Sequence, residues 1–228
     1  MVGGLVGGNS GVIQTSHASG RIRSHSSGQN EGYGGGLVGW NVGSIIQSFA
    51  TGDVQDFNVR NPYENVGGLV GSSWDGAISQ SYATGAVSAA NANTGGLIGF
   101  HAGELRQAYS TGAVNVAPGS QAFVGGLIGA DSSSPDNLAA YWDLDTSGIS
   151  DPAQGAGNVQ NDPGITGLTD AQLKAELPDG FDPAIWGQSP EINNGYPYLL
   201  ANPPDGAAPK KERRYSSSAR AMILPTRP

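Results

Sequence analysis

Gly35-Gly36-Leu37-Val38-Gly39-Trp40-Asn41-Val42-Gly43-Ser44-Ile45-Ile46-Gln47-Ser48-Phe49-Ala50-Thr51-Gly52-Asp53-Val54 decides how this chain folds, because the chain repeats it. The pattern returns from Gly67-Gly68-Leu69-Val70-Gly71 to Tyr82-Ala83-Thr84-Gly85-Ala86-Val87. It returns again from Gly95-Gly96-Leu97-Ile98-Gly99 to Tyr109-Ser110-Thr111-Gly112-Ala113-Val114. An earlier copy runs from Gly3-Gly4-Leu5-Val6-Gly7 to Ser19-Gly20-Arg21-Ile22, and a fifth starts at Gly125-Gly126-Leu127-Ile128-Gly129 before losing the pattern. The first glycines of the pairs lie 32, 32, 28 and 30 residues apart. A self-similar unit of about 30 residues marks a stacked repeat architecture.

Part of the unit is rigid and part elastic. From each first glycine to the Gly of the Thr-Gly or Ser-Gly step there are 17, 17, 18 and 17 residues, whereas the remaining gaps are 15, 15, 10 and 13. The near-constant part must stack copy on copy, and the variable part reads as loop. Its residue types favour strands: each Gly inside a helix would cost about 1 kcal/mol relative to Ala, while short apolar and β-branched runs between glycines suit short strands joined by bends. Glycine is expected to supply the positive φ of those bends.

The copies agree column by column. The first strand carries Leu5, Leu37, Leu69, Leu97 and Leu127, and the second Ile13, Ile45, Ile78 and Leu105. Small residues follow in pairs (Ser16 and Ala18, Ser48 and Ala50, Ser81 and Ala83, Ala108 and Ser110), with a ring between them: His17, Phe49, Tyr82, Tyr109. The third strand is marked by Ile22, Val54, Val87 and Val114. Three short strands per coil, with like side chains above like, is what a parallel β-solenoid requires: coils pair at about 4.8 Å and identical side chains form ladders. The expected fold is therefore all-β, a parallel β-solenoid whose Leu, Ile and Val columns fill the interior. Spacing alone leaves the side of the ring column open; its alternation with two small inward residues favours the outside.

The pattern G-G-L-V-G-x-N-x-G-x-I-x-x-S-x-A-T-G-x-V resembles the GLUG repeat of bacterial secreted and surface proteins, including filamentous-haemagglutinin-like adhesins and the non-catalytic part of some immunoglobulin A peptidases. The likeness covers roughly residues 3–148; the first copy departs at Ser19-Gly20 and the fifth after Ala130. It implies a secreted or cell-surface β-helical stalk or adhesin segment, and it assigns no catalytic residue to the repeat.

Composition sets further bounds. The chain has 228 residues, 37 glycines, 13% charged residues and a net charge of −8, which fits a Gly-rich β-architecture. The charge is unevenly spread, −12 over residues 1–201 and +4 over 202–228, so the acidic body argues against nucleic acid as a partner. There are no cysteines, hence no disulfides or Cys-based metal sites. No run of 18 apolar residues suggests a transmembrane helix. No signal peptide precedes the first repeat and no N-terminal cap shields it, so the chain is expected to be an N-terminally truncated piece of a longer polypeptide.

Three regions are expected: repeat coils over 1–130, a last half-coil and C-terminal cap over 131–201, and a disordered basic tail over 202–228 carrying Lys210, Lys211, Arg213 and Arg214. In the cap, Thr169-Asp170-Ala171-Gln172 fits a capping box opening a short helix, and Pro178 and Gly180 stop it. Phe181, Trp186, Tyr196, Tyr198, Leu199 and Leu200 are expected to pack over the last coil. The inter-coil loops 23–34 and 55–66 are the candidate partner-contact surface, through Arg23, His25, Asn30, Tyr33, Asp56, Phe57, Arg60, Tyr63 and Glu64. The partner expected there is a host-cell or neighbouring-cell surface protein or glycan.

Catalytic signatures are not found. His17, His25 and His101 lie in different coils, and there is no His-Glu-x-x-His, no Gly-x-Ser-x-Gly elbow and no phosphate-binding Gly-x-x-x-x-Gly-Lys-Ser/Thr. Asp143 and Asp145 read as turn formers rather than cation ligands. Asp53, Asp75, Glu104 and Arg106 fall in non-equivalent columns, so no facing carboxylate pair of the glycosidase kind is legible. No cofactor, metal or catalytic residue is expected. A carbohydrate-binding or carbohydrate-cleaving β-helix is the alternative; an ice- or surface-binding face on Thr51, Thr84 and Thr111 has too few threonines per coil.

Overall fold

The computed structural model describes residues 1–24, 32–59, 64–133 and 137–204. The chain is an all-β parallel solenoid built of three sheets. One sheet stacks Val2–Gly3, Tyr33–Gly35, Glu64–Gly67, Ala92–Gly95 and Val124–Gly125. A second stacks Ile22–Ser24, Val54–Asp56, Val87–Ala89 and Val114–Val116. The third and widest is carried in the middle coils by the long strands Val70–Ala83 and Ile98–Ser110, and in the first two coils by three shorter pieces each. Every pairing between coils is parallel and equivalent residues face each other: Val54 opposite Val87, Ile45 opposite Ile78, Ile78 opposite Leu105. Strands 33–35, 64–67 and 92–95 begin in stretches expected to be loop; they end on the glycine pair and are too short to show an alternation of their own.

The corners explain the sequence. Leu37, Leu69, Leu97 and Leu127 sit at a bend between two sheets and point inward, all fully buried. Each leucine carbonyl accepts the amides of the leucine and the next residue one coil below, as in Leu37 N–H and Val38 N–H to Leu69 O at 2.9 and 3.1 Å. Burying each such side chain stabilises the stack by roughly 1.5–3 kcal/mol. The glycines beside them are required by close approach: a Cβ on Gly36 would lie 2.0 Å from the carbonyl oxygen of Gly68 and 2.8 Å from the Ala50 Cβ. The positive φ expected of the repeat glycines is found instead at Thr15, Gln47, Gln80, Gln107 and Ala139, one column at the corner before the small residues. That corner is tied by Ser48 and Ser81, whose hydroxyls donate to carbonyls two residues back and accept the amides of Ser16 and Ser48 from the coil below.

A polar ladder turns a further corner. Asn9, Asn41, Ser73, His101 and Asp131 stack in register; Asn9 Nδ2 donates to Asn41 Oδ1 at 2.8 Å and Asn41 Nδ2 to Ser73 Oγ at 3.2 Å. The one 18-residue spacing is absorbed here, as a register shift between Trp74 and Gly76 with Asp75 at φ 52°. An extra residue taken up at a bulge leaves the interior columns undisturbed.

The upper end is closed from inside. Trp142 occupies the column held below by Ala18, Ala50, Ala83 and Ser110, and it fills the space above Gly126, Gly155 and Gly167 that any Cβ would invade. Ile165–Leu168 then adds a last parallel strand on Asn137–Asp143. The helix Asp170–Ala175 follows, with the expected capping box between Thr169 and Gln172.

Beyond the helix the chain departs from the expected packing over the last coil. It runs down the flank as a strap, back to the first coil. His17, Phe49, Tyr82 and Tyr109 form a continuous stack outside the main core, with centroids 4.8, 4.8 and 5.0 Å apart and planes within 7°. Leu173, Phe181, Trp186, Tyr196 and Leu199 of the strap cover this stripe from Phe49 to Tyr141. Asn202 reaches the first coil, donating to Ser16 O at 3.1 Å and Gln47 O at 3.3 Å and lying 3.2 Å from His17 Nδ1. The physical reason is area: four stacked rings on an outer wall form an apolar stripe that only a segment of matching length can remove from water.

Candidate functional site

The side chains expected to form one contact surface are divided between solvent and interior. Arg23 and Phe57 are exposed and Tyr33 is half-buried. Asp56 and Glu64 are buried, 4% and 1% exposed. His25, Asn30, Arg60 and Tyr63 lie outside the described residues, as do 205–228, which include the basic cluster. Asn58 ties the two acids together: its Nδ2 donates to Glu64 Oε1 at 2.7 Å and its amide to Asp56 Oδ2 at 3.2 Å. Burial pushes the Asp56 carboxyl above the usual carboxylate range, opposed by its bonds to Glu64, Asn58 and Ser24. Both acids join strand ends of adjacent sheets rather than facing a partner.

A second acidic pair lies under the cap. Asp131 accepts from Ser133 and, through Oδ2, from Asn137 Nδ2 at 2.6 Å; Asn137 also lies 3.4 Å from Asp162. Burial first, then the Asp131 charge and a hydrogen bond to Asp131, push Asp162 up to about 6. His101 is buried one coil below Asp131; burial lowers its pKa against the opposing pull of that carboxylate. All four acids are at most 4% exposed, so neither pair flanks an open groove in which a glycosidic bond could lie between two carboxyls. Among the described residues no cluster of three or more His, Cys, Asp or Glu is arranged to hold a metal.

A concave feature carrying unengaged polar groups lies where the strap meets the wide sheet. A cleft of about 450 Å³ is lined by Gln80, Arg106, Gln107, Leu138, Ala139, Tyr141, Asp179 and Gly180. The repeat puts these residues together: Gln80, Gln107 and Ala139 are the left-handed corner residues of three successive coils, and Arg106 stands opposite Leu138. Three coils at about 4.8 Å make the cleft roughly 10 Å long. The strap closes its far side, with Tyr141 OH donating to Asp179 O at 2.8 Å. Burial first, then the Asp179 charge, raise the Tyr141 pKa, so this phenol stays a neutral donor.

Polar groups in the cleft are set by the fold. Gln107 Oε1 accepts from Asp182 N at 3.3 Å and Trp186 Nε1 at 3.2 Å. Its amide nitrogen is left as a donor without a partner among the described residues. Arg106 Nε approaches Glu104 Oε2 at 3.5 Å, with both side chains about half exposed, and such a pair holds its members weakly. Sequence reasoning weighed Arg106 only as a scattered charge and missed Gln80 and Gln107. The repeated Gln47-Ser48, Gln80-Ser81 and Gln107-Ala108 steps were a visible signal for the column; the strap residues that close the cleft left none. On the opposite bend Trp74, 46% exposed, stacks on Phe100 at 4.6 Å.

Residues 63–88, the third coil, match the family model described as the GLUG motif. The other coils share its columns in register. No curated protein and no solved structure matches the chain.

Proposed function

We propose that this GLUG-motif repeat protein is a non-enzymatic structural and adhesive segment of a secreted or surface-exposed bacterial protein. A host-cell or neighbouring-cell surface protein or glycan is the partner its outer faces meet. The observation that carries the reading is the stack itself: copies of unequal length keep their Leu and Ile/Val columns in register and take up the length differences in a bulge and in the connecting loops. Such a body is a stiff rod whose outer surface can vary without cost to its core. The polar groups we find buried in acidic pairs are engaged in closing corners, which suits scaffold work.

Adhesion is tested by coating fluorescent beads with the purified chain and counting those retained under flow on cultured epithelial cells and on bacterial lawns. Retention well above albumin-coated beads on either surface is expected. Retention equal to albumin on both would overturn the adhesive role, and release of reducing sugar from a polysaccharide panel would overturn the non-enzymatic one.

A further inference from the structure

We propose that the cleft between the strap and the wide sheet is a binding site for an uncharged saccharide of about two sugar units. The site supplies the ligand class for the adhesive reading and rests on that reading only for its biological setting. Three observations carry it. First, the cleft has ligand-sized volume, about 450 Å³, and its length of roughly 10 Å across three coils suits two pyranose rings. Second, its polar groups are of both kinds. Arg106, Gln80 and the locked amide nitrogen of Gln107 donate, while the Asp179 carboxylate accepts. Sugar hydroxyls donate and accept at once, so a lining of both kinds can satisfy them. Third, Leu138, Ala139, Gly180 and the Tyr141 ring give an apolar wall for the C–H face of a sugar.

Charge decides against an acidic ligand. Arg106 stands with Glu104 and Asp179 in a body of net −12 over residues 1–201, so an added carboxylate would meet more repulsion than attraction. The corner also holds Gln where the backbone would prefer glycine: φ is 44° at Gln80 and 49° at Gln107, a conformation L side chains adopt at a cost. Gln107 repays it by anchoring Trp186, whereas Gln80 has no hydrogen-bond partner among the described residues. A ligand is the use we assign to it.

The test titrates the full chain with lactose, maltose and cellobiose by isothermal calorimetry, and follows the side-chain amide signals of Gln80 and Gln107 by NMR. Digalacturonate and triglycine serve as the charged and peptidic arms. At least one neutral disaccharide should bind with a millimolar dissociation constant and shift both amides. Arg106→Leu and Gln80→Ala should each weaken it fivefold or more with an unchanged melting temperature, and Arg21→Leu, outside the cleft, should not weaken it. Binding of digalacturonate or triglycine in preference to all three sugars would overturn the proposal. So would sugar binding that both cleft variants leave intact, or no binding at all. Bead retention with an empty cleft would leave the adhesive reading standing, so the two failures are told apart.

Discussion

Replacing Trp186 by alanine tests whether the strap is part of the fold or an ornament on it. Trp186 is 1% exposed, stacks on Phe181 at 4.5 Å and leans against Tyr82 and Tyr109 at 6.1 and 5.9 Å. Its indole also donates to Gln107 Oε1 at 3.2 Å. Truncating a buried Trp costs about 3–5 kcal/mol, including the cavity left behind, and the lost hydrogen bond adds about 1 kcal/mol. A total near 5 kcal/mol, with a urea slope of about 2 kcal/mol/M, moves the unfolding midpoint down by about 2.5 M. Far-UV circular dichroism is the right probe, because it reports the sheets and loses nothing when an indole is removed. Trp186→Phe should fall between wild type and alanine. If Trp186→Ala moved the midpoint by less than 0.5 M on the order-of-magnitude scale of a surface substitution, the stripe would not depend on its cover and the reasoning would fail.

Two further outcomes follow from the corners and the cap. Gly36→Ala should cost more than about 3 kcal/mol or prevent folding, since its Cβ would strike the Gly68 carbonyl at 2.0 Å; Gly20→Ala, which meets nothing within 4 Å, should be neutral or stabilise by about 0.5 kcal/mol, both read from urea midpoints. Asp162 has its pKa raised to about 6 from 3.8, so the unfolded chain releases this proton first as pH rises. Its contribution is fully present below pH 3.8, declines as pH rises and is gone above about 6. Melting temperatures measured from pH 4 to 8 should therefore carry a fall between pH 4 and about 6 in the wild type, and Asp162→Asn should flatten it; an identical profile in the variant would show that another group sets it.

What the sequence determined by itself was whatever recurs once per coil. Leu37 and Leu69, Ile45 and Ile78, Val54 and Val87 announce the solenoid because an interior shared by stacked coils demands the same residue at the same place, and periodicity is readable without coordinates. The capping box at Thr169 was legible for the same reason, as a local rule with local partners. The cause of the glycines was not: a bend needing positive φ and a backbone passing 2.0 Å away leave the same letter in the sequence, and only the second operates at Gly36. Nor could the strap be placed. Trp186 finds Gln107, and Asn202 finds Ser16, across 79 and 186 residues, pairings made once and therefore without a repeat to betray them. The cleft inherits this division, its Gln80–Gln107 wall written in the columns and its Asp179–Gly180 wall decided only when the chain folded back.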